Sequence, residues 1–243
     1  MTDEYDVVVV GGGVAGRSAA IFTARHDFET LVVDAGSSLL RRNSHLENYP
    51  GFPAGVNSRL LLDLMAEQAD RAGATFREAE VTRVVETGDG FEIETADGDQ
   101  IRSSYVIAAT KNEVSYLEDV DGVGILDRGK AYVDCDERGR TGVEGLYVAG
   151  RLAEKPHQTV VCAGHGAEVA VTLLEDADVG FYHDWVAPEG YFTGRDRELP
   201  PGCEEIDEDE RRRREDESLA AMREFIAEPH PEEPEQHPSV EDS

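Results

Sequence analysis

The stretch Tyr5-Asp6-Val7-Val8-Val9-Val10-Gly11-Gly12-Gly13-Val14-Ala15-Gly16 decides the fold. Its run of valines predicts a strand buried on both faces, because successive side chains point to opposite sides. The strand runs straight into G-x-G-x-x-G, and a helix is predicted from about Val14 to His26. There Gly11 permits the tight turn, Gly13 lets the backbone approach a pyrophosphate, and Gly16 lets the helix pack on the strand. The first-turn N–H groups would face the phosphates. A second apolar strand, Thr30 to Val33, ends at Asp34. That acid stands about 20 residues beyond the glycines, where a carboxylate accepts hydrogen bonds from ribose hydroxyls. A glycine-rich turn without a ligand would explain the glycines but not the acid. The pattern predicts a dinucleotide site.

A chain of 243 residues can hold one sizeable α/β domain with an extension. No apolar run reaches the roughly 20 residues of a membrane helix. Met1-Thr2-Asp3-Glu4 does not read as a signal peptide, so a cytoplasmic protein with no membrane partner is expected. The formal charge is −29, and the lysines are three: Lys111, Lys130 and Lys155. The acids are spread through predicted helices and loops as well as the C-terminal end. Such a surface resembles the proteins of salt-loving archaea, where salt screens self-repulsion. A nucleic-acid mimic or a binder of a basic partner is the competing reading. Nucleic acid is disfavoured, because neutralising phosphates needs a basic face. We expect the melting temperature to rise between dilute buffer and molar KCl. Thermal melts without that rise would remove the halophile argument.

Cys135, Cys162 and Cys203 are scattered, with no C-x-x-C, which leaves neither a redox dithiol motif nor a paired zinc motif. They read as packing thiols in a reducing compartment. The seven histidines lack ligand spacing, and no metal is expected.

Residues 35–56 form a long irregular stretch of the kind that is usually functional. A helix capped by Asn57 or Ser58 follows, with Leu60, Leu61, Leu64, Met65 and Ala69 at helical spacing and Gly73 as its stop. The period then changes to two. Residues 76–80, 81–86, 91–94 and 101–102 predict an antiparallel meander. A buried strand is predicted over 104–110, a connector over 111–130, strands over 131–133 and 146–150, and a helix over 158–174. The aromatic-rich run Phe181, Tyr182, Trp185, Tyr191 and Phe192 reads as core or interface. A charged helix is predicted over 204–228. In it Asp207, Glu208, Asp209 and Glu210 each precede an arginine by four residues, the favourable order for ion pairs. Leu219, Met222, Phe225 and Ile226 would dock its C-terminal half. The expected domains are 1–176, an aromatic and charged helical extension over 177–228, and a disordered acidic tail over 229–243.

Four segments carry a resemblance. Glu47-Asn48-Tyr49-Pro50-Gly51-Phe52-Pro53 resembles the E-N-Y-P-G-F-P loop of thioredoxin reductases. Tyr105 to Thr110 resembles the strand that ends in A-T-G. Arg140 to Gly150 resembles T-S-V-P-G-V-Y-A-A-G-D, and Gln158 to Ala167 resembles the R-Q-A helix start. Together they cover about residues 4–175. They imply the FAD-binding half of the thioredoxin reductase-like pyridine nucleotide–disulfide oxidoreductases. The implied fold is α/β, Rossmann-like and three-layered, with a parallel sheet, helices and a β-meander, followed here by a C-terminal helical extension.

In that family an NADPH domain with C-x-x-C lies between the A-T-G strand and T-S-V-P-G. Here the connector 111–130 occupies that place, and there is no second G-x-G-x-x-G. Further departures are Lys111 for the A-T-G glycine, Arg151 for the aspartate of the final G-D, His157 for the arginine before glutamine, and Ser37-Ser38-Leu39 for G-G-Q. The resemblance implies that Gly11, Gly13, Ala15 and Gly16 hold the pyrophosphate and that Asp34 binds the adenosine ribose. Val81 meets the adenine, and Thr110, Gly150 and Arg151 also hold the cofactor, the last two at the family's place near the ribityl chain and pyrophosphate. Asn48, His157, Gln158 and Thr159 approach the flavin. An arginine at a pyrophosphate is electrostatically sensible. A helix N-terminus near the flavin stabilises its reduced anion. Turn chemistry alone would explain Asn48, a solvated loop His157, and small-residue packing Cys162. His165 reads only as a helix-start residue.

The first functional reading is an FAD-dependent oxidoreductase of unknown substrate that is not an authentic thioredoxin reductase. Its electrons would come from free NAD(P)H, a small reductant or a separate donor or acceptor protein. The alternative is a non-catalytic protein that binds FAD or an adenine nucleotide. An NAD-dependent dehydrogenase on the same first βαβ unit is a third, against which the E-N-Y-P-G loop and the meander argue. A homodimer is compatible with each.

Overall fold

The computed structural model describes residues 3–180 and 183–241. Phe181 and Tyr182 of the aromatic run lie outside the described residues, as do the first two and last two residues of the chain. Contacts divide the chain into one unit of Met1–Leu173 with Glu232–Ser243 and another of Leu174–Pro231.

The first unit is built on β1 (Asp3–Val10), which leads into α1 (Val14–Arg25) and β2 (Thr30–Asp34). Val7 and Val9 enter one core with Ala19, Leu62 and Leu173. Val8 and Val10 enter a second with Ile93, Val106 and Leu146. Burial on both faces is why the strand reads as unbroken valine. Each such side chain contributes about 1.5–3 kcal/mol relative to exposure.

The long loop ends at α2 (Ser58–Ala72), where Asn57 accepts from the Arg59 and Leu60 N–H groups and Gly73 closes the helix at φ +106°. Then come β3 (Thr75–Glu78), β4 (Val81–Thr87), β5 (Gly90–Thr95) and β6 (Gln100–Ala108). The connector holds a turn of 3-10 helix, Ser115–Leu117, and β7 (Ile125–Asp127), which forms a hairpin with the following β8 (Ala131–Val133). β9 (Leu146–Val148) and α3 (Thr159–Asp176) follow.

The main sheet has seven strands in the order β3-β2-β1-β6-β5-β4, with β9 also on β6. β3, β2, β1, β6 and β9 run parallel. β6, β5 and β4 are antiparallel. Two expectations change here. Residues 76–80 do not begin the meander, because β3 pairs in parallel with β2. The predicted strands 101–102 and 104–110 are one strand, which meets β5 with its first half and β9 with its second. Period-two alternation marks a strand but does not say which neighbour it meets.

The second unit contains β10 (Trp185–Pro188), parallel to β11 (Cys203–Ile206), and α4 (Glu208–Phe225). The charged helix therefore begins four residues later than expected, after a strand, with Asp207 accepting from the Glu210 N–H. Trp185, Tyr191 and Phe192 pack edge to face at 4.7–5.7 Å. The Glu205 carboxylate accepts from the Thr193 hydroxyl and three N–H groups, which lowers its pKa to about 2. Two of the expected i,i+4 pairs form, Glu208–Arg212 and Glu210–Arg214, while Arg213 meets Glu210 and Arg211 meets Glu215. Leu219, Met222 and Ile226 do not dock; they are exposed, and no residue of α4 is buried. Capping and ion pairs support this helix instead.

The acidic tail, expected to be disordered, makes contacts that its composition does not announce. Glu232 pairs with Arg41 at 2.9 Å, and its carbonyl accepts from Arg59 Nε at 3.1 Å. The Glu235 N–H donates to the Arg41 carbonyl at 3.0 Å, and its carboxylate lies 3.9 Å from Arg42. A short α5 (Pro238–Glu241) follows. The fold gathers three arginines from the loop and α2, and so supplies partners that composition cannot reveal.

Candidate functional site

A cavity of about 1250 Å³ opens at the C-terminal ends of β1, β2 and β6. Ligands of open α/β sheets bind in the crevice beyond those strand ends. The volume exceeds the roughly 300–1,000 Å³ typical of small-molecule pockets and suits an extended ligand.

Its floor is the β1–α1 turn. Gly11 has φ +106°, and a Cβ there would stand 2.8 Å from the Ala109 carbonyl oxygen. Gly16 is a packing glycine, since its Cβ would stand 1.9 Å from the Gly11 oxygen. Gly13 differs from both. Its φ is −74°, open to any residue, and the nearest atom to a Cβ there is Ser38 Oγ at 3.9 Å. Nothing in the protein requires glycine at 13; a side chain there would fill the cavity. No side chain caps α1, so its first N–H groups face that cavity.

Asp34 lies over Gly12, whose Cβ would stand 2.3 Å from Asp34 Oδ2. Its Oδ1 accepts from the Gly36 N–H at 3.1 Å, and Oδ2 is 3.6 Å from Arg17 Nη2. Arg17 is buried, and it donates through Nη1 to the Leu62 carbonyl. Burial pulls its pKa down, against the pull of Asp34. The pair holds the carboxylate toward the cavity. Gly12 and Arg17 were not singled out from sequence. A charged side chain among the small residues of α1 was the available signal for Arg17.

At the other end, Asn48 Nδ2 donates to Gln158 Oε1 at 2.9 Å, which joins the long loop to the start of α3. The loop is fixed from below: Ser58 Oγ donates to the Leu40 and Asn43 carbonyls at 2.7 Å, and Leu46 pairs with Val56. Thr159, His157 and Cys162 line this end. Burial pushes the Cys162 thiol up, and likewise that of Cys135, so neither is primed as a nucleophile. Cys162, Cys135 and Cys203 are all free.

Val81 lines the cavity at an irregularity in the β4–β5 register. Thr110 lines it too, but its hydroxyl donates to the Glu113 carbonyl at 2.6 Å and meets the buried Tyr116 hydroxyl at 2.9 Å. Arg151 lines the cavity while stacking on Tyr132 and donating to its hydroxyl and to the Lys155 carbonyl. Of the sequence-derived site residues, Gly11, Gly13, Ala15, Asp34, Asn48, Val81, Thr110, Arg151, His157, Gln158 and Thr159 border this cavity. Gly16 and Gly150 do not. Gly150 instead abuts α1, where its Cβ would stand 2.7 Å from Ala15 Cβ, and its N–H donates to His165 Nδ1 at 2.9 Å. His165 is thus a buried acceptor, its pKa lowered to about 4 by burial, rather than a plain helix-start residue.

The family described as FAD binding domain matches residues 6–187. The chain belongs to this FAD-binding family. Its cofactor is FAD, and the residues fit it: Gly13 and the α1 terminus suit a pyrophosphate, and the anchored Asp34 suits a ribose.

Among curated relatives, a bifunctional thioredoxin reductase/thioredoxin of Mycobacterium leprae is 36% identical over 135 residues, 54% of this chain and 30% of that protein. A thioredoxin reductase of Aquifex aeolicus is 37% identical over 108 residues, 44% of this chain and 33% of that protein. This FAD-binding chain thus spans about a third of the length of these relatives. A thioredoxin reductase structure from Gloeobacter violaceus superposes with a TM-score of 0.66 at 19% identity, covering 76% of this chain and 99% of that one. That likeness shows the Rossmann-like fold. No helix among the described residues is long and apolar enough to cross a membrane.

Proposed function

We propose that the chain is an FAD-dependent oxidoreductase that draws electrons from an external donor and does not by itself reduce thioredoxin. The observation that carries this reading is the Gly13 cradle below the α1 terminus, joined to an Asn48–Gln158 contact at the flavin end with no dithiol beside it. Bound FAD supplies the hydride and electron chemistry. Gly13 and the α1 N–H groups bind the pyrophosphate, and Arg17 orients Asp34 for the ribose. Asn48 orients Gln158 at the start of α3, whose N-terminus favours negative charge on the reduced cofactor. Residues 111–130 stand where the resembling reductases carry a nicotinamide domain. Free NAD(P)H or a separate protein would therefore be the donor.

An absorbance spectrum tests this reading. The purified protein is expected to show flavin bands that bleach on anaerobic addition of NADH, NADPH or another reductant. Bands that no reductant bleaches would favour a non-catalytic FAD-binding protein, and no bands would defeat both readings. The Cys135→Ser, Cys162→Ser and Cys203→Ser triple variant is expected to keep its FAD, because thiols are not needed to hold it. With NADPH, neither form is expected to reduce thioredoxin. Reduction by the wild type alone would mean that these cysteines meet during turnover.

A further inference from the structure

In a chain of charge −29, four cationic side chains gather along the cavity wall and just outside it, without a carboxylate partner among the described residues. Lys111 and Arg151 line the wall, half-buried, while His157 and Lys130 are exposed. The β7–β8 hairpin brings them together. Asn112, next to Lys111, donates to the Ala131 carbonyl, next to Lys130, at 2.9 Å. Arg151 donates to the Tyr132 hydroxyl on the same strand and stacks on its ring at 4.8 Å. The cations feel one another: the pKa of Lys111 is lowered by burial, then by Lys130, Arg42 and Arg151. That of His157 is lowered by burial, then by Lys111, Arg151 and Lys130. The nearby Glu113 carboxylate is engaged by Ser115, accepting from its N–H and hydroxyl.

Lys111 adds a second sign. It holds φ +66°, a left-handed backbone uncommon for a non-glycine residue. An anion bound there would relieve the repulsion among these like charges. The cofactor's pyrophosphate already has Gly13 and the α1 terminus, and Lys130 stands outside the cavity wall, toward solvent.

We propose that Lys111, Lys130, Arg151 and His157 form a docking site for a phosphate-bearing small molecule that meets the flavin end of the cavity. The site deepens the oxidoreductase reading and rests on it. Lysine point charges and the planar guanidinium together suit a multiply charged phosphate group.

The test uses FAD-loaded protein, with inorganic pyrophosphate as the probe, titrated by calorimetry at constant ionic strength. Wild type is expected to bind it, and the Lys130→Glu variant, changed outside the cavity wall, to bind it at least tenfold more weakly. FAD absorbance per protein should be the same in both. Three results would overturn the proposal. They are no binding to the loaded wild type, equal binding to the Lys130→Glu variant, or binding to apoprotein alone with loss of FAD from the variant. The last would assign the cluster to the cofactor's own pyrophosphate. Flavin absorbance reports separately on the oxidoreductase reading: a chain without flavin overturns that reading, and the docking site with it.

Discussion

Gly13→Val is expected to strip the protein of FAD while leaving it folded. The residue's φ of −74° and its distance of 3.9 Å from Ser38 Oγ leave room for a side chain within the protein. The same branched side chain would occupy the space where phosphates approach the α1 terminus. Moving them away from those N–H groups forfeits several charge-assisted hydrogen bonds. Each factor of ten in affinity is only about 1.4 kcal/mol, so FAD content should fall at least about tenfold. Circular dichroism and the melting temperature of the apoprotein should stay near wild type. Full flavin occupancy in this variant would refute the assignment of the cradle.

Gly16→Ala should do the reverse, damaging the fold before the cofactor. Its Cβ would stand 1.9 Å from the Gly11 oxygen, a backbone atom that cannot swing aside. Overpacking of this kind costs about 1–3 kcal/mol, occasionally more, and α1 is buried along most of its length. At roughly 2–4 °C per kcal/mol for a chain of this size, the melting temperature should drop by several degrees or more. The comparison is made on apoproteins, so that lost cofactor does not contribute. A Gly16→Ala apoprotein that melted with the wild type would mean that α1 can shift off β1 at no cost. The two glycines belong to one motif and are required for opposite reasons.

Much of the site was legible because its signals are local. Valine on both faces of β1, the turn glycines, the acid ending β2 and the Asn57 cap each follow from neighbours a few residues away. The E-N-Y-P-G resemblance located the loop, but not the Asn48–Gln158 bond that spans 110 positions of sequence. Gly150 stood in a recognised motif, yet its contact is with α1 and not with the cavity.

The sequence by itself determined the βαβ opening, the kind of ligand it holds and the lack of a paired dithiol motif. These depend on periodicity, turn chemistry and residue identity, all of which act over short spans of chain. Only the tertiary structure decided that β3 joins β2 rather than the meander, and that β6 serves two partners in turn. The same holds for Glu232 and Glu235 finding arginines, and for Lys111 and Lys130 standing together. Those arrangements depend on which surfaces meet once the sheet has formed, and charge or alternation in a single segment carries no record of the segment it will meet.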